Sequence, residues 1–176
     1  MTKPNVVAIV GSKKSGKTTT VENLIREFVK RKYRVAAIKH VSEKDFTIDT
    51  PGKDTWRFAQ AGAQTIVSAS ANEVATIEKK PLEVFSVDDL LKKCAGNDFV
   101  FTEGFKWLMS RKQDIQKVVV VKSAQEVENA LKLFYPILAF SGPYSSRGVN
   151  DQVPYQDGLR EPEKLADIIE EHFRKK

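Results

Sequence analysis

The sequence predicts an α/β fold: a mostly parallel sheet with helices on both faces. Three observations carry that reading. Short, nearly continuous apolar runs recur at residues 5–10, 34–39, 98–102, 117–121 and 137–140, as expected of strands buried on both faces. Segments with apolar residues at helical spacing separate most of them. The length of 176 residues, with 41% hydrophobic and 30% charged, suits one globular domain with its own core, taken as 1–176.

The elements follow in chain order. Asn5 to Val10 forms the first strand, and a Gly- and Lys-rich turn follows it. Residues 16–32 read as a helix with Val21, Leu24, Ile25 and Phe28 on one face. The basic residues between 22 and 34 alternate with these and form its solvated side. Residues 34–39 are a second buried strand. Pro51 starts a short helix that ends at Ala61-Gly62-Ala63, with proline at its start and glycine past its end. Residues 64–69 and 73–78 are strands joined at Ala71-Asn72, an antiparallel ribbon or sheet edge. Ser86 with Asp89 caps a helix reaching about residue 95, and Ser123 with Glu126 caps another. Residues 142–160, rich in Gly, Pro, Ser, Asn and Asp, are a long loop. The final helix puts Leu165, Ile168, Ile169 and Phe173 on one face.

Charge is unevenly spread. The net charge is +6, yet residues 1–40 alone carry +8 and the remainder −2. Such a basic quarter suits nucleic acid, a membrane surface or a phosphorylated small molecule. The helical alternation of its charges speaks against nucleic acid. No window offers the roughly 18 apolar residues of a membrane span. The start, Met1 to Pro4, has no apolar signal region. A single cysteine, Cys94, can make neither an internal disulfide nor a zinc site, so the expected compartment is a reducing cytoplasm.

The turn after the first strand holds the chemistry. Gly11-Ser-Lys-Lys-Ser-Gly16-Lys17-Thr18 is a complete G-x-x-x-x-G-K-[ST] phosphate loop, with the required strand before it and helix after it. Its glycines let backbone N–H groups close around phosphate oxygens, and the helix dipole adds positive potential. Lys17 can reach the β- and γ-phosphates, and the Thr18 hydroxyl can coordinate Mg²⁺. Lys13, Lys14, Ser15 and Thr19 complete the expected nucleotide-binding set. Lys13 and Lys14 either add to the field or are simply solvated. The lysine that ParA-like ATPases carry directly after the first glycine is replaced here by Ser12.

A second acid lies at the end of a strand. Asp98-Phe-Val-Phe-Thr-Glu103-Gly104 places Glu103 where such a nucleotide fold aims a carboxylate at the metal shell or the attacking water. Asp49 and Asp54 flank a tight turn after the second strand. Each suits metal or substrate contact, while Asp54 also reads as a plain helix N-terminal acid. His40 closes the second strand at the ligand-bearing edge, either structural or direct in its role. His172, on the last helix, reads as surface.

Together these pieces resemble the molybdopterin-guanine dinucleotide biosynthesis protein B (MobB) family. The similar stretches are Ile9–Thr19, Ile38-Lys39-His40, Asp49-Thr-Pro-Gly-Lys-Asp54-Thr55, Ala61-Gly62-Ala63 and Glu103-Gly104-Phe105-Lys106. They span roughly residues 5–122. The resemblance implies a P-loop NTPase-like homodimer that binds GTP with Mg²⁺, hydrolyses it slowly, and assists the guanylyltransferase that joins GMP to the molybdopterin cofactor. Carried over by position, Gly16, Lys17 and Thr18 hold phosphates and metal. Lys17, Asp49 and Glu103 form the catalytic set, with Thr18, Asp49 and Glu103 near the metal. Lys53, Asp54, Lys106 and His40 line the cleft or meet the partner. The resemblance also assigns the middle segment to dimer contacts. Three departures stand out, one being a tail after about residue 140 that matches poorly. Val41-Ser42-Glu43-Lys44 replaces the histidines usual after Ile-Lys-His, and no Asn/Thr-Lys-x-Asp motif reads guanine. Two alternatives remain open from the residues. One is a small-molecule kinase using ATP, with an acceptor beside Asp49–Arg57 and Arg147 and Arg160 on a lid. The other is a pure binding module.

Overall fold

The computed structural model describes residues 3–43, 45–81 and 86–175. The element order is β1 (Asn5–Gly11), α1 (Lys17–Lys30), β2 (Val35–Lys39), α2 (Asp54–Gln60), β3 (Thr65–Ala69), β4 (Val74–Glu78), α3 (Val87–Lys92), β5 (Phe99–Glu103), α4 (Lys106–Ser110), β6 (Gln116–Val120), α5 (Ala124–Leu133), β7 (Ile137–Ser141) and α6 (Pro162–Arg174). Two compact units form, one from the chain up to His40 and again from Leu90 onward, the other from Val41 to Asp89.

The first unit carries a five-stranded sheet in the order β2-β5-β1-β6-β7, every neighbouring pair parallel. The expected α/β fold is borne out. One face is a core of Val7, Ile9, Phe101 and Val118 under Leu24 and Phe28 of α1 and Leu165 and Ile169 of α6. Phe28 anchors it, its ring 4.4 Å from Phe99 and 5.2 Å from Phe101. Because strand side chains alternate, Val119 faces the other way. There it lines a cavity with Ala130, Leu133 and Phe134 at the α5 end. Helices therefore cover both faces.

The second unit holds α2 and the ribbon. β3 and β4 pair antiparallel in register from Thr65↔Glu78 to Ala69↔Val74. They form a separate two-stranded sheet, not an edge of the main one. The Ser70 hydroxyl pins the turn by accepting the Glu73 amide at 3.1 Å.

Several expectations change in detail. β2 is half-exposed, because it is the outermost strand of the sheet. Pro51 lies in a turn ahead of α2, which is preceded by Lys53 in extended conformation. α3 stops at Lys92, and turns carry the chain through Cys94 to Gly96. α4, which shows no apolar period, follows Phe105 in left-handed conformation (φ 52°). His172 is half-buried, 5.1 Å from the Phe173 ring.

The 142–160 segment is more than a loop. Tyr155 pairs parallel to Phe140, whose amide donates to Pro154 O at 2.8 Å. The Tyr155 hydroxyl donates to Gly142 O at 2.7 Å, and Asn23 of α1 donates to Gly158 O at 3.1 Å. Arg147 lies over the Tyr155 ring, and Arg160 sits 3.9 Å from Asp157. The segment continues the sheet edge and is tied to α1.

Lys117, at the second position of β6, is fully buried. Its ammonium donates to Tyr135 O at 2.8 Å and also to Lys112 O. Burial pushes its pKa down to about 8 from 10.5, with Asp114 opposing. Between those values the unfolded chain binds more protons than the folded one, so stability rises with pH. The gain from this one residue is up to ~3 kcal/mol. Urea unfolding of the protein and of Lys117→Met between pH 7 and 10.5 is expected to show a steeper rise where Lys117 is present. Parallel pH curves for the two would refute this.

Candidate functional site

The apolar run of β1 makes it the middle strand, so Gly11 emerges at the carboxyl edge between β5 and β6. Ligands of open parallel sheets bind at such an edge, outside the carboxyl ends of the strands. Gly11 has φ +152°, and a Cβ there would meet Val120 O at 2.3 Å. Gly16 (φ +100°) starts α1, packed close to the Leu159 methyls. α1 has no side-chain cap and no acid in its first turn, which leaves its N-terminal amides and dipole for an anion.

The side chains of the loop divide clearly. Lys13, Lys14, Thr18 and Thr19 are exposed. Ser15 is buried, and its hydroxyl lacks a hydrogen-bond partner among the described residues. Lys17 folds back so that its ammonium donates to Ser12 O at 2.5 Å. Burial pushes the Lys17 pKa below its ordinary value. Glu103 opposes that shift, and Lys122 and Lys39 add to it. Lys122 also donates to Lys13 O at 3.0 Å and so braces the loop from the end of β6.

Glu103 meets this loop from β5. Its Oε1 accepts from the Thr18 hydroxyl at 2.9 Å, and its Oε2 lies 3.4 Å from Lys39 Nζ. The following Gly104 (φ +88°) lets the chain pass His40, whose Cβ would lie 3.1 Å from any added Cβ. The His40 amide donates to Glu103 O at 2.9 Å, and its ring packs 5.0 Å from that of Phe105. His40 thus acts as a support for the Glu103 turn. Lys106 borders a cavity of about 250 Å³ that also touches Gly11, Ser12 and Asn129.

The first unit therefore brings together Gly11 to Thr19, Glu103, His40 and Lys106 at one sheet edge. Asp49, Lys53 and Asp54 lie in the second unit. There Asp49 Oδ1 accepts from the Thr50 amide at 2.9 Å and the Thr55 hydroxyl at 2.8 Å, which ties the turn into α2. Its Oδ2 is buried without a partner among the described residues. Lys53 is exposed, and Asp54 sits 3.5 Å from Arg57 one turn on. Sequence reasoning quoted Lys39 within Ile38-Lys39-His40 but gave neither it nor Lys122 a role. Lys39 stands out only once strand pairing sets it, the last residue of β2, level with Glu103 on β5. Chemically, the arrangement offers loop amides and three ammonium groups to a polyanion, beside one hydroxyl and one carboxylate suited to a hard divalent cation. No described helix is long and apolar enough to cross a membrane.

Known proteins resemble this chain over most of its length. A model of the family described as molybdopterin guanine dinucleotide synthesis protein B matches residues 6–140. The molybdopterin-guanine dinucleotide biosynthesis adapter protein of Haemophilus influenzae is 33% identical over 137 residues, 75% of this chain and 76% of that protein. The Escherichia coli K12 protein of the same name is 29% identical over 165 residues, 92% of this chain and 89% of that one. A crystal structure of molybdopterin-guanine biosynthesis protein B superposes with a TM-score of 0.73 at 28% identity, covering 96% of this chain and 99% of that one.

Proposed function

The chain belongs to the molybdopterin guanine dinucleotide synthesis protein B family, and on that premise we propose that this adapter of molybdopterin-guanine dinucleotide biosynthesis works by binding GTP with Mg²⁺ and hydrolysing it slowly. The observation that carries the reading is the Thr18–Glu103 hydrogen bond of 2.9 Å beside Lys17. It joins a phosphate loop to a strand-end carboxylate. The residues fit the nucleotide. The buried, unpartnered Ser15 hydroxyl and the loop-bound Lys17 ammonium are groups that phosphate oxygens would satisfy. Gly11 and Gly16 hold the loop at φ +152° and +100°, where an added Cβ would meet Val120 O at 2.3 Å and the Leu159 methyls at 3.3 Å.

In this reading the amides of residues 13–18 and Lys17 hold the phosphates. Thr18 and Glu103 would hold the metal shell, and Glu103 would orient the attacking water. Bound Mg²⁺ would supply charge neutralisation at the phosphates. The proposed partner is the guanylyltransferase acting on molybdopterin, and the proposed species is a cytoplasmic homodimer. Val67 and Val74, exposed on one face of the ribbon, supply apolar surface for a second copy.

Parallel titrations with GTP and ATP, with and without Mg²⁺, test the reading. GTP is expected to bind more tightly, with affinity raised by Mg²⁺. Glu103→Gln keeps an acceptor for Thr18 but loses the charge, and is expected to lose about tenfold of the Mg²⁺-dependent affinity. Preference for ATP would bring the kinase reading forward. GTP affinity indifferent to Mg²⁺ would refute the assignment of Thr18 and Glu103.

A further inference from the structure

We propose that Lys39 is a second phosphate-binding lysine, held by Glu103 in the protein alone and passed to the γ-phosphate when a nucleoside triphosphate binds. This rests on the nucleotide reading above. The argument starts from register. Lys39 ends β2 level with Glu103 on β5, and residues level on neighbouring parallel strands share a face. Its ammonium lies 3.4 Å from one carboxylate oxygen, while the other accepts from Thr18 at 2.9 Å. Lys39 thus reaches the phosphate loop through a single carboxylate.

The two partners are held unequally. The Glu103 side chain is 13% exposed and that of Lys39 is 55% exposed. The carboxylate is fixed by two neighbours, and the lysine is a flexible stem reaching in from solvent. An ion pair with one partner so exposed adds little to stability, so the fold gives weak reason for a lysine here. The charge count gives a better one. Lys17, Lys39 and Lys122 face Glu103 and Glu126, and all four of its charged neighbours act on Lys17. Were Glu103 to give its charge to a divalent cation, Lys39 would lose its counterion. A terminal phosphate held by the loop would then be the anion available to its four-carbon stem.

A γ-directed cation separates triphosphate from diphosphate, which a structural ion pair cannot do. The test is calorimetric titration of GTP and GDP, with Mg²⁺, into the protein, Lys39→Met and Lys39→Arg. Lys39→Met is expected to bind GTP about tenfold or more weakly while GDP affinity changes less than about twofold, and Lys39→Arg to restore most of the loss. Retained GDP binding serves as the check on folding. Equal losses for both nucleotides, or no loss, would overturn the role of Lys39 and leave the nucleotide reading standing. Failure of the unaltered protein to bind either nucleotide would overturn both.

Discussion

Lys17→Ala is expected to weaken GTP binding by about a hundredfold or more, the scale of a lost charge-assisted hydrogen bond to a phosphate with its partner left unpaired. The reason lies in where the ammonium starts. It is drawn out of solvent, carries a lowered pKa from that burial, and is satisfied by the Ser12 carbonyl at 2.5 Å. A phosphate oxygen can replace that carbonyl with a full negative charge at little cost in rearrangement. Alanine leaves the loop amides and Thr18 in place, so the fold is expected to be kept. Calorimetric titration checks this, with urea unfolding as the control. Unchanged affinity would show that the loop does not hold phosphate.

The second large effect is on folding. Gly11→Ala is expected to cost about 3 kcal/mol or more. A Cβ at residue 11 would lie 2.3 Å from Val120 O and 3.0 Å from Ser15 Oγ. The nearer atom is backbone of the neighbouring strand, in register with Gly11 itself, so relief means parting β1 from β6. The conformation, φ +152°, is unfavourable to a side chain as well. Gly148→Ala separates the two effects. It has φ +81° but nothing within 4 Å of an added Cβ, and is expected to cost only about 1 kcal/mol. Urea midpoints of the two variants measure the difference. Equal midpoints would mean that the Gly11 contact relaxes freely.

Much of this was legible in the sequence, for physical reasons that differ by element. β1 and β5 are buried on both faces, so their apolar runs stand out, and the loop and Glu103 follow directly from where those runs end. The two capping boxes are local chemistry, and Ser86 and Ser123 each accept the amide three residues on, at 3.1 and 3.3 Å. β2 was placed but misjudged as fully buried, because strand order, which puts it at the edge, arises from pairing across the chain. Lys39 was hidden for the same reason: its meaning comes from a partner 64 positions later on β5. Phe105 is a left-handed non-glycine residue and α4 is five residues long, so neither leaves a periodic trace. Tyr155 joins the sheet edge from a segment whose composition reads as loop.

The position of β1 has a consequence for the chain during its synthesis. Its partners are Phe99 to Glu103 and Gln116 to Val120. At the usual pace of about 5–20 residues per second, the run Val6 to Val10 waits roughly 5–20 s after leaving the ribosome before either neighbour exists. For that interval a fully apolar strand has both edges open, the kind of surface that favours association between unfinished chains. The glycine loop hung from that strand has both neighbouring strands beside it only when about two-thirds of the chain has been made.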